Sequence, residues 1–414
     1  VTGSTTRSRG AAPVGRGTMS RRRLLRSLGA TGALAAGGGV LNACTPGLAE
    51  TGAAEPVGDP ERPLRIGYLP ITDATPLVLA EANGHYADAG LTVDEPRLFR
   101  GWAPIAEAFQ ARQVDVVHLL MPMAVHLRFD QGYPARIVAW NHTDGSALTV
   151  RHEIDSITDL AGGTVAVPFW YSIHNIALQM LFAEGGLRPV LRGEPDPEAG
   201  EVKLLVMAPP DMPPGLEAGS IDGYIVADPF NAAAEVGGIG RILRFTGDVW
   251  RQHACCVTVV HDDLVEGHPD RVAAIVGAVA RAQLDAREDR EATAHVLSGD
   301  GDGYLPQPRP VIERALTGID DPAYRESGAV SRPEWESPRI DFQPFPFPSY
   351  TEELVRRMRN TEVEGRDGFL AELEPRRAHR ELVAGAFARD AIDELGGPGA
   401  FGLTDLARDE QIGV

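Results

Sequence analysis

Leu64-Arg65-Ile66-Gly67-Tyr68-Leu69-Pro70-Ile71-Thr72-Asp73-Ala74-Thr75-Pro76-Leu77 reads as a short apolar strand, a polar turn and the start of a helix. Pro70 ends the strand and Thr75 stands where a cap would. Pro76 suits the first helical turn, where its missing N–H has no helical partner to lose. The alternation continues downstream. Strands are expected over residues 91–93, 114–119 and 135–141, with helices over 76–83 and 102–111. A second unit follows, with strands over 164–167, 203–207 and 223–226 and helices over 172–184 and 214–218. Strands alternating with helices in this way mark an α/β fold with mainly parallel sheets.

Two turns in the two units echo each other. Ala111-Arg112-Gln113-Val114-Asp115-Val116-Val117 and Ala218-Gly219-Ser220-Ile221-Asp222-Gly223-Tyr224 share one pattern. A small residue closes a helix, a short turn follows, and an apolar-Asp step enters a strand. They read as equivalent points in two similar lobes. The apolar run over 256–260 can return the chain to the first lobe. Helices are then expected over 269–287, 310–316, 350–359 and 376–395. Between them, Asp341-Phe342-Gln343-Pro344-Phe345-Pro346-Phe347-Pro348 is too rich in proline for a helix and reads as an extended, packed loop.

The N-terminal 43 residues read as an export leader, with seven arginines and no acidic residue. Ser20-Arg21-Arg22-Arg23-Leu24-Leu25-Arg26 fits a twin-arginine signal, and translation is expected to start at Met19. The Gly/Ala/Leu stretch over 28–40 is too short for a spanning helix and suits a signal's apolar region. Leu41-Asn42-Ala43-Cys44 is similar to a bacterial lipobox, which makes Cys44 the expected lipidation site. Residues 44–61, rich in Gly, Ala, Pro and Glu, read as a flexible tether. The chain is expected on the outer face of the cell membrane, held only through this N-terminal lipid.

Charge narrows the function. The whole chain carries −19, and removing the leader's seven arginines takes the remainder near −26. Nucleic-acid binding is excluded, because phosphate neutralisation needs a basic face. Lys203 is the only lysine, which argues against Schiff-base chemistry. Cys255 and Cys256 are adjacent, a spacing far from preferred bridge geometry, so no disulfide framework is expected.

In open α/β sheets a ligand sits beyond the carboxyl ends of the strands, where helix N-termini offer N–H groups. Four segments fall there. Asp73 and Thr75 lie in the first, and Trp102 opens the second. Tyr171, Ser172 and His174 open the third, and Asp228 with Phe230 follow a strand in the fourth. Asp144 and His253 complete the expected ligand set.

Several of these segments resemble the nitrate, sulfonate and bicarbonate (taurine-like) class of ABC-transporter solute-binding lipoproteins. The resemblance is carried by Ile66-Gly67-Tyr68-Leu69-Pro70-Ile71-Thr72-Asp73-Ala74-Thr75-Pro76, Leu98-Phe99-Arg100-Gly101-Trp102, Ala227-Asp228-Pro229-Phe230 and His268-Pro269. It runs from about residue 64 to residue 290. It implies a two-lobed type II periplasmic-binding fold with two crossover strands and a cleft that closes on a small solute. It also implies a permease and an ATPase as partners; the chain itself is expected to be a monomer. The division expected is 62–141 with 257–414 in lobe 1, and 142–256 in lobe 2.

The resemblance bears on the ligand as well. Nitrate binders of this class place a Trp where Trp102 stands and a Gln where this chain has Asp144. Their His near Val167 or Pro168 is absent, and His174 lies one to two turns away. A carboxylate at Asp144 is expected to repel nitrate. No cofactor is expected, and whether an ion such as calcium accompanies the solute stays open.

Two rival readings remain. His253-Ala254-Cys255-Cys256 and Met121-Pro122-Met123 offer soft donors suited to a metal or metal complex. If Cys255 and Cys256 lie in a strand, their side chains are expected on opposite faces, leaving His253 and Cys255 as the candidate ligands. An enzyme is the other rival, since pyrimidine-precursor synthases share this fold. No Ser-His-Asp spacing, phosphate loop or HExxH helix supports it.

Overall fold

The computed structural model describes residues 62–318 and 322–414. The expected leader, Cys44 and the tether lie outside the described residues. Two mixed sheets, each flanked by helices, form two lobes of one compact unit. The fold is that of a type II periplasmic-binding protein.

The first sheet contains β1 (Ile66–Tyr68), β2 (Arg97–Leu98), β3 (Val116–Leu120) and β4 (Ala135–Trp140). β1 pairs in parallel with both β2 and β3. The second sheet is built from β6 (Ser146–Val150), β7 (Thr164–Val167), β8 (Arg188–Val190), β9 (Glu201–Val206), β10 (Gly223–Ala227) and β11 (Arg241–Phe245), after a two-residue β5 (Thr143–Asp144). The chain then returns as β12 (Cys256–His261), inserted antiparallel between β3 and β4. β6 plays the matching part in the second sheet, antiparallel to both β10 and β11. The final sheet orders are β2-β1-β3-β12-β4 and β11-β6-β10-β7-β9-β8. Strands such as β3 and β12 are buried throughout, as parallel-type sheets covered on both faces require.

The two echoing turns are built alike. Asp115 N–H donates to Arg65 O while Arg65 N–H donates back to the Asp115 carboxylate. Asp222 and Thr164 exchange the same reciprocal pair. An arginine is added each time: Arg65 at 2.9 Å from Asp115, Arg151 at 2.7 Å from Asp222. The apolar-Asp step therefore clamps the start of a neighbouring parallel strand in each lobe. Arg112 and Gly219, at matching places in the two turns, both take positive φ, 56° and 69°.

Several expectations need correction. Residues 91–93 contribute only an isolated bridge from Val93 to Leu64, and the strand forms later, at β2. The single helix expected over 376–395 is two, Pro375–Leu382 and Ala386–Glu394. Between them Val383 bridges to Ile137 and Ala384 N–H donates to Ile137 O, extending the edge of the first sheet beyond β4. Sheet pairing here overrides helix propensity.

The C-terminal third does not lie on one lobe. Helix Arg309–Thr317 packs Val311 and Ala315 against Ala232 of the second lobe, and the Tyr324 ring meets Phe245 of β11 edge-on at 4.9 Å. β13 (Ile340–Asp341) pairs antiparallel with β5. The proline-rich stretch that follows is extended and largely buried, with Pro344 O accepting from Trp140 N–H. Tyr350, from helix Pro348–Met358, meets the rings of Trp140 and Trp250 at 4.9 and 4.7 Å, joining the end of β4 to the segment that leads into β12. Among the described residues no helix is long and apolar enough to cross a membrane.

Candidate functional site

The carboxyl ends of strands from both lobes meet at the crossings. A 3-10 turn, Thr72–Ala74, follows β1, and Thr72 donates through both its N–H and its Oγ1 to Asp228 O at the end of β10. The first crossing, residues 141–145, leaves β4 and enters β6. The second, residues 249–255, leads into β12. Asn141 ties the first crossing to the turn by donating to Asp73 O at 3.0 Å.

Asp73, His142, Cys255 and Cys256 converge in this region, each fully buried, with one candidate donor atom apiece inside 4.8 Å of all the others. His142 Nε2 lies 2.9 Å from Asp73 Oδ2. Burial alone would push His142 down, but the Asp73 carboxylate overrides it and its pKa rises to about 10. Burial would likewise raise Asp73, but His142 and nearby thiols hold it at about 2. Both shifts favour an imidazolium–carboxylate pair, while the Cys256 N–H points at the same His142 Nε2 from 3.3 Å. Burial would raise the Cys255 thiol, yet hydrogen bonding with Cys256 and His142, together with the nearby His174, brings it down; Cys256 is pushed up.

Three more rings surround this cluster. Leu69 N–H donates to His118 Nε2 at 2.7 Å, so the His118 proton sits on Nδ1, which has no partner among the described residues. Burial depresses His118 to about 3, keeping it neutral. The Trp102 ring lies 5.6 Å from His118, and its buried Nε1–H is likewise without a partner among them. His253 Nε2 donates to Thr246 Oγ1 at 2.8 Å, because that hydroxyl spends its own proton on Ser146 O. His253, depressed to about 3 by burial and by the charge on His142, thus leaves a bare Nδ1 lone pair. His174 Nε2 contacts Ser146 Oγ at 2.9 Å and lies 3.8 Å from Cys255 Sγ. Leaving such groups buried and unpaired costs on the order of 1–3 kcal/mol each, a cost that a polar guest would relieve.

Of the expected ligand residues, Asp73, Trp102, His174 and His253 gather here, and the others find structural partners. Thr75 does not cap its helix, since Oγ1 donates to Thr72 O within the preceding turn. Ser172 caps helix Ile173–Glu184 by accepting from Asn175 N–H. The Asp228 carboxylate is held by Arg339, and Phe230 is buried in the core. Tyr171 stacks on His126 of the first lobe at 4.2 Å and donates to Arg366 O, closing one side of the seam.

Asp144 needs a separate correction. Its side chain abuts Gly247, where an added Cβ would come within 2.8 Å of the carboxyl carbon. Burial and the neighbouring Asp341 raise its pKa to about 8, so it is neutral at pH 7. A proton held there weakens the expected repulsion of an anion.

The cysteines also depart from expectation. Strand β12 begins only at Cys256, and Cys255 lies before it, so strict alternation does not apply to the pair. Their sulfurs sit 3.8 Å apart and face the same cluster as free thiols. Sequence reasoning missed His142 and His118. His142 lies in the first crossing, just after β4, a position with no motif of its own, and His118 hides inside the apolar run of β3.

A family model described as the NMT1-like family matches residues 58–298. The nitrate/nitrite binding protein NrtA of Nostoc sp. is 26% identical over 341 residues, covering 73% of this chain and 74% of that protein. The nitrate import ATP-binding protein NrtC of Synechocystis sp. is 28% identical over 247 residues, covering 55% of this chain but only 36% of that longer protein. The crystal structure of the periplasmic nitrate-binding protein NrtA from Synechocystis superposes with a TM-score of 0.70 at 19% identity, covering 84% of this chain and 93% of that one.

Proposed function

Because the chain belongs to the NMT1-like family, we propose that it is the extracytoplasmic solute-binding component of an ABC importer. It captures a small solute (an oxyanion, a sulfonate or a related small molecule) between its lobes and delivers it to a permease driven by an ATPase. The carrying observation is the group of buried polar atoms without partners among the described residues at the convergence of the two lobes, above all Trp102 Nε1 and His118 Nδ1. Two N–H donors on adjacent rings suit an acceptor atom of a guest. The relatives named above are binding and import proteins, which supports capture rather than turnover. The similarity to part of an ATP-binding import protein supports the proposed coupling to an ATPase.

The guest should stabilise the protein, since whatever binds only the folded chain adds about 2.7 kcal/mol at a hundredfold excess over Kd. Screening small oxyanions, sulfonates and heterocycles by melting temperature identifies it. Trp102→Phe keeps an aromatic ring but removes the N–H, and we expect the shift produced by the hit to fall by more than half. An undiminished shift would place the solute elsewhere.

Export by the twin-arginine route and anchoring through a lipid on Cys44 complete the proposed reading, with the domain acting as a monomer outside the membrane. Cys44→Ser should move the protein from the membrane fraction to the soluble one. Retention in the membrane fraction would remove the lipid from the account.

A further inference from the structure

Four donors of the interlobe floor come from three separate stretches of chain. Asp73 comes from the turn after β1, His142 from the first crossing, and Cys255 with Cys256 from the junction of the second crossing with β12. All four residues are buried, and their donor atoms lie within 4.8 Å of one another. Cys255 Sγ and Cys256 Sγ are 3.8 Å apart, and Asp73 Oδ2 and His142 Nε2 are 2.9 Å apart. Tetrahedral zinc, with bonds of about 2.0–2.3 Å, has ligand-to-ligand edges of roughly 3.3–3.8 Å. The cluster is within about an ångström of that geometry throughout. Two sulfurs, an imidazole and a carboxylate form a donor set that selects a borderline-soft ion over calcium or magnesium, which take oxygen ligands.

Resting on the reading that the seam between the lobes receives the solute, we infer that its floor binds zinc(II). The ligands are Asp73 Oδ2, His142 Nε2, Cys255 Sγ and Cys256 Sγ. Each sulfur binds as the thiolate with its proton leaving to solvent, and the imidazole binds through the Nε2 lone pair after losing its own proton. Three anionic donors and a neutral imidazole then leave the occupied, buried site with a net charge of −1. His174 stands beside the site, its Nε2 3.8 Å from Cys255 Sγ and held by Ser146 Oγ, so it can orient that sulfur without coordinating. A bound ion would tie the turn after β1, the first crossing and the start of β12 to one another.

The full chain, purified reduced and without a histidine tag, is titrated with Zn2+ against a chromophoric chelator and separately with Co2+. The expected result is one ion per chain, with thiolate-to-cobalt charge transfer in the near ultraviolet and the strong visible bands of a tetrahedral site. The double variant Cys255→Ser/Cys256→Ser should weaken zinc binding by at least ~100-fold and abolish the charge-transfer band. The cobalt spectrum is read on the unaltered chain, so this test does not depend on the variant folding. Absence of zinc binding, a cobalt spectrum without thiolate bands, or zinc affinity unchanged in the double variant would overturn the site. A chain that ignores zinc but is stabilised by a sulfonate or oxyanion overturns the zinc assignment alone and leaves the solute-binding reading standing.

Discussion

Replacing Asp144 by Asn is expected to stabilise the protein by a few kcal/mol at pH 8 and by almost nothing at pH 4. The side chain is buried, only 2% of the residue being exposed, and burial together with Asp341 raises its pKa to about 8. An unfolded Asp titrates near ~3.9. Between these values the folded chain keeps a proton that the unfolded chain has released. Stability therefore falls as pH rises from about 4 to about 8, and the loss is complete only above the folded pKa. An uncharged amide removes this slope. At about 1.4 kcal/mol for each pH unit between the folded and unfolded titrations, the gain at pH 8 is on the order of 3–5 kcal/mol once relaxation is allowed for. The backbone favours the change as well, since Asp144 has φ of 59° and Asn tolerates the left-handed region readily. Urea unfolding across pH 4–9 measures it. Parallel stability curves for the two proteins would show that Asp144 titrates normally in the folded chain.

Arg339→Ala should have the largest destabilising effect, about 3–5 kcal/mol. The buried guanidinium binds Asp228 through Nε at 2.6 Å and a terminal nitrogen at 3.1 Å, and reaches Glu235 at 2.9 Å. It also donates to the Tyr324 hydroxyl oxygen at 3.1 Å and stands over the Phe245 ring. Truncation leaves the Asp228 carboxylate, 1% exposed, with the Ala232 N–H as its remaining hydrogen-bond donor among the described residues. The damage reaches the seam, because Asp228 O accepts both bonds from Thr72 of the first lobe. Removing both charges in Arg339→Met/Asp228→Asn should recover most of the loss, since the penalty comes from the uncompensated charge. A double-mutant cycle by chemical unfolding decides it. A loss under about 1 kcal/mol for Arg339→Ala would show that the pair is not coupled to folding.

Both residues illustrate how far local reading reaches. Asp144 and Asp228 stand out in the sequence as carboxylates at strand ends, which suggests ligand contacts for both. Their actual roles depend on Asp341 and Arg339, which lie far along the chain from them. No periodicity or spacing links such distant positions, because each partner enters through the C-terminal segment, whose lobe assignment no local pattern encodes.

What the sequence determined by itself was the alternation of buried strands and helices, the paired apolar-Asp turns and the placing of strand ends at one crevice. These follow from interactions within one or two turns of chain: hydrophobic periodicity, prolines at helix starts, and an Asp two residues after a turn. The tertiary structure decided which side chains meet there. His142 joined Asp73, both cysteines turned to one side, and Thr75, Ser172 and Asp228 were taken up by the fold. Those outcomes depend on desolvation and on charge pairing across the two crossings, energies that exist only once distant segments have excluded water from one another.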